Sequence, residues 1–181
     1  AVANNASDFC KKVQVLTYLG ERNDEKNFIE QNLNNNIELD SVIKSNSPTI
    51  LKTRFIDSYT KNKIVGVYDL NDDIINSEEA KEFHDKVITC IKEFDIVIVV
   101  DYGHGLITPP IVEALEKHSK FLAVNTQLNS FNIGYHTISK YANADYVCVH
   151  EGELRHDYRN RHDTIEFLTK RLSERIKSKV I

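Results

Sequence analysis

The reading of the fold turns on DIVIVVD, residues 95–101, followed by the glycine-bearing YGHGLIT of residues 102–108. Every residue between the two aspartates is Ile or Val, the unbroken apolar run of a strand buried on both faces in a parallel sheet. Thr108 then stands as the N-cap of a helix with Pro109 at its first position. Short apolar runs at 121–125 and 146–150 read as two more strands, and 164–178 as an amphipathic helix carrying Ile165, Leu168, Leu172 and Ile176. Upstream, Asn76 with Glu79 three residues on makes a capping box. Its helix is predicted to reach about residue 94, with Phe83, Val87, Cys90 and Ile91 inward. Strand and helix alternating at this spacing imply right-handed crossovers and an α/β fold on a parallel sheet.

Toward the start, residues 2–9 read as a helix, 13–19 as a strand of the same sheet, and Gly20 as the turn after it. Residues 24–34 read as a helix with Phe28, Ile29 and Leu33 on one stripe, ended by three asparagines. Residues 49–57 and 63–69 are β-rich runs joined by a short polar link, which is the pattern of a hairpin. Set among helices, it is expected to project as a flap beside the main sheet.

Composition narrows the class. At 181 residues the chain suits one domain or most of one. Its 41% hydrophobic and 28% charged residues are ordinary for a soluble globular protein. A net charge of -4 argues against a general nucleic-acid partner, and the basic cluster of residues 155–175 is interleaved with acids like a solvated helix face. The longest apolar run, 96–100, falls far short of the roughly 20 residues that span a bilayer. No basic start with an apolar stretch marks a secretory signal, so a cytoplasmic location without a membrane partner is expected. Cys10, Cys90 and Cys148 lie far apart; the last two fall in apolar runs and read as buried small hydrophobes. Methionine is absent, and Lys179-Val180-Ile181 reads as the start of a strand; both ends read as cut.

In a doubly wound sheet, ligands bind beyond the carboxyl ends of the strands. Three segments stand there. Asp101 with Gly103 and Gly105 offers a hydroxyl acceptor and close backbone approach, or equally a plain glycine turn. Asn125, Thr126 and Gln127 suit hydroxyl recognition or a solvated loop. His150, Glu151 and Glu153 open a helix, whose free N–H groups suit phosphate and whose carboxylates suit a hydrated Mg²⁺ ion, or merely complement the helix dipole. His150 and His156 do not face one way, which disfavours zinc. On the hairpin, alternation puts Lys52 and Arg54 on one face, able to clasp an anion or simply to meet solvent. The signatures of α/β-hydrolases, P-loop NTPases and dinucleotide-binding folds are absent.

Taken in order, these segments resemble the PfkB/ribokinase family of carbohydrate kinases, closest to the heptose-7-phosphate kinases of ADP-heptose synthesis. AVANNASDFCKKVQVLTYLGE resembles the family's first helix and strand, beginning just after its glycines. SPTILKTRFID resembles the "PTxxKTR" hairpin strand, and DIVIVVDYGHGLIT the "DYGKG" segment, with His104 where Lys is usual. VNTQ replaces a "VDPK" strand end, putting Asn125 in place of Asp, and VCVHEGELRH is similar to an "NxxE" motif, with His150 at the Asn position and Glu153 kept.

The resemblance implies a ribokinase-like three-layer sandwich with a hairpin flap. Residues 1–181 would form part of the kinase domain, its first glycine motif and its GAGD half lying outside. It implies ATP and Mg²⁺, a sugar phosphate as substrate, a possible homodimer and a possible fused nucleotidyltransferase domain. Lys52, Arg54, Asp101, Gly103 and Asn125 would serve the sugar, and Glu153 and His150 the nucleotide and its Mg²⁺–phosphate group, with no direct protein ligand to the metal. The general base, an Asp in the GAGD loop, is expected beyond Ile181, so this chain alone is expected to be inactive. A non-catalytic sugar-phosphate or nucleotide-binding module is the alternative, and the sugar itself is not readable.

Overall fold

The computed structural model describes residues 1–23, 25–130 and 132–180. They form two compact bodies, Ala1–Phe83 and His84–Ile181. In the first, α1 (Val2–Ser7) leads to β1 (Val13–Gly20), α2 (Lys26–Gln31) and β2 (Ile37–Lys44). β1 and β2 pair in parallel, from Val13 opposite Ile37 to Gly20 opposite Lys44. The sequence had not suggested β2. Its Ile37, Leu39, Val42 and Ile43 neither alternate cleanly nor form a run, and of them Val42 alone is fully buried.

Two expectations change in this body. Helix α2 is shorter than residues 24–34, starting after Glu25 in a left-handed conformation, and Phe28 of its stripe is exposed; Asp24 lies outside the described residues. Gly20 is no turn: it is the last residue of β1, pressed against the Pro48–Thr49 peptide.

The hairpin is present as β3 (Leu51–Ile56) and β4 (Lys63–Asp69), antiparallel, with an irregularity at Phe55/Ile56. Asp57 shapes its turn: one carboxylate oxygen accepts from the amides of Tyr59 and Thr60 and from the Thr60 hydroxyl. Among the described residues, β3 and β4 pair only with each other, and every residue of β3 is exposed.

The boundary between the bodies falls within α3 (Ser77–Ile91). Its capping box forms as read: Asn76 Oδ1 accepts from Glu79 N at 2.9 Å, and Glu79 Oε2 accepts from Asn76 N at 3.0 Å. Phe83, Val87 and Ile91 are buried.

The second body holds β5 (Val97–Asp101), α4 (Pro109–His118), β6 (Leu122–Thr126), a 3₁₀ turn (Ile138–Lys140), β7 (Tyr146–Cys148), α5 (Glu151–Tyr158), α6 (Ile165–Ile176) and β8 (Lys179–Val180). The four strands form one parallel sheet in the order β5-β6-β7-β8. Among the described residues, the ladder of β1 is with β2. Helix α4 buries Ile111, Val112, Ala114 and Leu115, and α6 buries Leu168, Leu172 and Ile176, one stripe at a spacing of four. Thr108 holds the N-cap position of α4 without a side-chain cap bond.

β5 is not buried on both faces. Val99 and Asp101 are buried, while Ile98 on the alternate face is half-exposed, because a strand sends successive side chains to opposite sides. The same rule corrects Cys148: Val147 takes the core side of β7, leaving Cys148 exposed. Among the described residues, no helix is long and apolar enough to cross a membrane.

Candidate functional site

Asp101 closes β5, and only 3% of it is exposed. Its Oδ1 accepts from Gly103 N at 3.0 Å, and its Oδ2 from Lys140 Nζ at 2.8 Å and Tyr141 Oη at 2.9 Å. His136 Nε2 lies 3.0 Å from the Asp101 carbonyl oxygen and 3.6 Å from Oδ1. A carbonyl can only accept, so Nε2 carries the proton. Tyr141 is buried, and burial with the neighbouring Asp101 charge pushes its hydroxyl far above the ordinary phenol range; it remains a donor. A carboxylate has about four lone-pair sites, and three of them are taken by Gly103 N, Lys140 Nζ and Tyr141 Oη, so Asp101 holds its loop in place.

That loop is tightly packed. Gly103 has φ +70, and a Cβ there would come within 2.6 Å of Asn132 Nδ2 and 2.8 Å of His136 Cγ. Asn132 Nδ2 donates to the carbonyls of Tyr102 at 2.9 Å and Gln127 at 3.2 Å, and its Oδ1 accepts from Asn129 N at 2.8 Å. His104 is buried and stacks on Tyr102 with centroids 6.5 Å apart.

The connection that leaves β6 joins this loop to the next. Gln127 N donates to the Asp101 carbonyl at 3.0 Å, and Leu128 N donates to Glu153 Oε1 at 2.9 Å. The other oxygen of Glu153 accepts from His150 N at 2.7 Å, while His150 Nδ1 accepts from Gly152 N at 3.0 Å. His150 and Glu153 thus cap α5 reciprocally. Asn125 Nδ2 donates to the Cys148 carbonyl at 2.8 Å, fastening β6 to β7. Asp157, with a fully buried side chain, is gripped by Ser139 and by Arg175 at 2.6 Å. Burial would raise its carboxyl, but hydrogen bonds from Ser139, Thr137 and Arg175 prevail and hold it below the ordinary range.

Of the residues singled out in sequence, Asp101, Gly103, His150 and Glu153 therefore belong to one network at the carboxyl ends of the strands, while Asn125 separately fastens β6 to β7. Asn132, His136, Lys140 and Tyr141 were not foreseen. Lys52 and Arg54 lie on the hairpin of the first body, facing the same way on β3. Lys52 Nζ stands over the Tyr68 ring at 5.8 Å. A side chain begun at Gly66, opposite Arg54, would meet Lys63 Nζ at 3.2 Å and Tyr68 Oη at 3.3 Å. Lys63 thus adds a third cation to that face. Among the described residues, no group of three or more His, Cys, Asp or Glu is gathered to hold a metal directly.

No family model matches the chain. It is 27% identical over 177 residues to the bifunctional protein HldE of Helicobacter pylori strain G27, covering 94% of this chain and 36% of that protein. The HldE of strain J99 gives 28% over 176 residues, with the same coverage. Among solved structures, phosphofructokinase-2 from Escherichia coli in complex with fructose-6-phosphate aligns with 99% of this chain and 59% of its own, at a TM-score of 0.72 and 11% identity. The fold is that of the ribokinase-like sugar kinases. Ribokinase from Giardia lamblia aligns with 92% of this chain and 56% of its own, at a TM-score of 0.62 and 12% identity. The chain spans about a third of the curated relatives (36%) and under two thirds of these solved ribokinase-like chains (59% and 56%).

Proposed function

We propose that the protein carrying this chain is an ATP- and Mg²⁺-dependent kinase that phosphorylates a sugar phosphate of the heptose type. The observation that carries the reading is the similarity to HldE along 94% of the chain. It is supported by three ordered loops at the carboxyl ends of adjacent parallel strands, where such folds bind ligands. The bifunctional name of those relatives supports a fused second activity in the whole protein.

In this reading the hairpin closes over the sugar as a flap, and Lys52 and Arg54, helped by Lys63, neutralise an anionic group of the substrate. Asp101 acts at one remove. It holds Gly103 and the 102–105 backbone in the conformation that meets the sugar, while Asn125 keeps the neighbouring strand ends in register. Each oxygen of Glu153 keeps a lone pair after accepting one amide, which fits contact with a hydrated Mg²⁺ ion through water. Bound MgATP supplies the phosphoryl group, a transfer that depends chiefly on positioning and charge neutralisation. The base is proposed to come from chain beyond Ile181.

The test is steady-state kinetics of the full-length protein. Lys52→Ala/Arg54→Ala should raise KM for the sugar phosphate about ten- to a hundredfold, the worth of one or two charge-assisted hydrogen bonds, leaving KM for ATP near its starting value. Binding of sugar phosphate without any ATP-dependent transfer would favour a non-catalytic module instead, and equal KM in variant and parent would remove the hairpin from the site.

Glu153→Gln separates two roles. The amide nitrogen of Gln cannot accept from a backbone N–H, so the thermal midpoint should fall, reflecting about 1–3 kcal/mol for the orphaned donor. Participation in Mg²⁺ binding adds a lower kcat or a higher Mg²⁺ requirement. Unchanged kcat at every Mg²⁺ concentration would leave Glu153 as a cap alone.

A further inference from the structure

Lys44 ends β2, and although it is a lysine only 3% of it is exposed. Its Nζ donates to the backbone carbonyls of Asn71, at 2.7 Å, and Asp73, at 2.5 Å. The Tyr18 ring stands 5.1 Å from the same nitrogen. Carbonyl dipoles and an aromatic face are what a desolvated cation takes in place of water. Burial still disfavours the ammonium and lowers its pKa, and the carboxylates of Asp73, Asp72 and Glu79 offset part of that cost.

The place of this contact gives it meaning. Asn71 and Asp73 lie in the connection from β4 to α3, one foot of the hairpin. The other foot, from β2 to β3, is tied separately: Glu79 Oε1 accepts from Ser45 N at 2.7 Å. Asn71 Nδ2 links the two feet by donating to Ser47 Oγ at 3.1 Å. We propose that Lys44 is a positioning residue whose ammonium serves as a tethered cation. It fills a seat made by the Asn71 and Asp73 carbonyls and the Tyr18 ring, and so fixes the β4–α3 foot of the hairpin to the end of β2. Its consequence for catalysis rests on the reading of the hairpin as a cover for the sugar.

Hydrogen exchange and kinetics together test this in the full-length protein. Lys44→Ala should speed exchange at the amides of residues 71–75 by about tenfold or more, with β1 and α3 little changed. Methylammonium chloride should restore protection, because it can refill the seat with N–H donors. Tetramethylammonium chloride at equal ionic strength, which has none, should not. Lys44→Met, which keeps most of the stem, should show the same local loss if the alanine variant folds poorly. A uniform rise across the first body without rescue, or no rise at 71–75, would overturn the seat. Local loss with rescue but an unchanged KM for the sugar phosphate would leave the seat standing and remove the covering role of the hairpin.

Discussion

Asp101→Ala will destabilise the second body by about 3–5 kcal/mol, the cost of removing one partner of a buried charge pair. The loss is not confined to one contact. Lys140, whose side chain is 25% exposed, is left with little solvent to replace its partner, the fully buried Tyr141 hydroxyl loses its acceptor, and Gly103 N loses another. Chemical denaturation checks this, with Asp101→Asn as the shape-preserving comparison. Asparagine can still accept from Tyr141 or Gly103 but leaves the Lys140 charge unbalanced. Adding Lys140→Met to Asp101→Asn should therefore recover part of the loss, since neighbours in one network are not additive. A loss below about 1 kcal/mol for Asp101→Ala, the range of an ordinary substitution, would mean that solvent already reaches the carboxylate and that the network does not fix the loop.

Gly20→Ala should be comparably severe in the first body, for a steric reason. A Cβ on Gly20 would sit 2.0 Å from Pro48 C, 2.1 Å from Thr49 N and 2.5 Å from Pro48 O. These are backbone atoms and cannot swing aside. They are also held in place: Thr49 Oγ1 accepts from Gly20 N at 2.8 Å, and Thr49 N donates to the carbonyl of Asn23. The connection into β3 must move bodily, at a cost of about 3 kcal/mol or more. Gly134→Ala is the control. Its φ is +85, yet a Cβ there meets nothing within 4 Å, so only backbone strain of about 1–2 kcal/mol is expected. Equal melting of the two variants would show that the Pro48–Thr49 segment yields freely and that the close approach is not a constraint.

The features legible in sequence were those written in neighbouring residues. The Ile/Val run before Asp101, the Asn76–Glu79 box and the stripe of α6 each carry their signal within one element, and each forms. β2 was missed because its apolar residues follow no single period; the strand is specified by its pairing with β1. The partners of Asp101 were missed because the bonds from His136 and Tyr141 span 35 and 40 positions, which no local pattern encodes. One sign was present: the described residues between 127 and 145 hold no strand or α-helix, a long stretch for such a connection, and loops of this kind are usually functional. For Glu153, the sequence displayed a charge beside a helix start; what it could not display was the amide of Leu128 waiting 25 positions away.

The hairpin carries a consequence for how such a chain can change. Register sets Thr53 opposite Val67 and Phe55 opposite Val65 on one side, and Lys52 opposite Tyr68 and Arg54 opposite Gly66 on the other. Lys52 and Arg54 thus share one side of β3, while Leu51 and Phe55 share the other. Point substitutions can retune either side without touching its reverse. An insertion or deletion of one residue within β3 exchanges both at once, so the segment is tolerant of drift in composition and intolerant of drift in length.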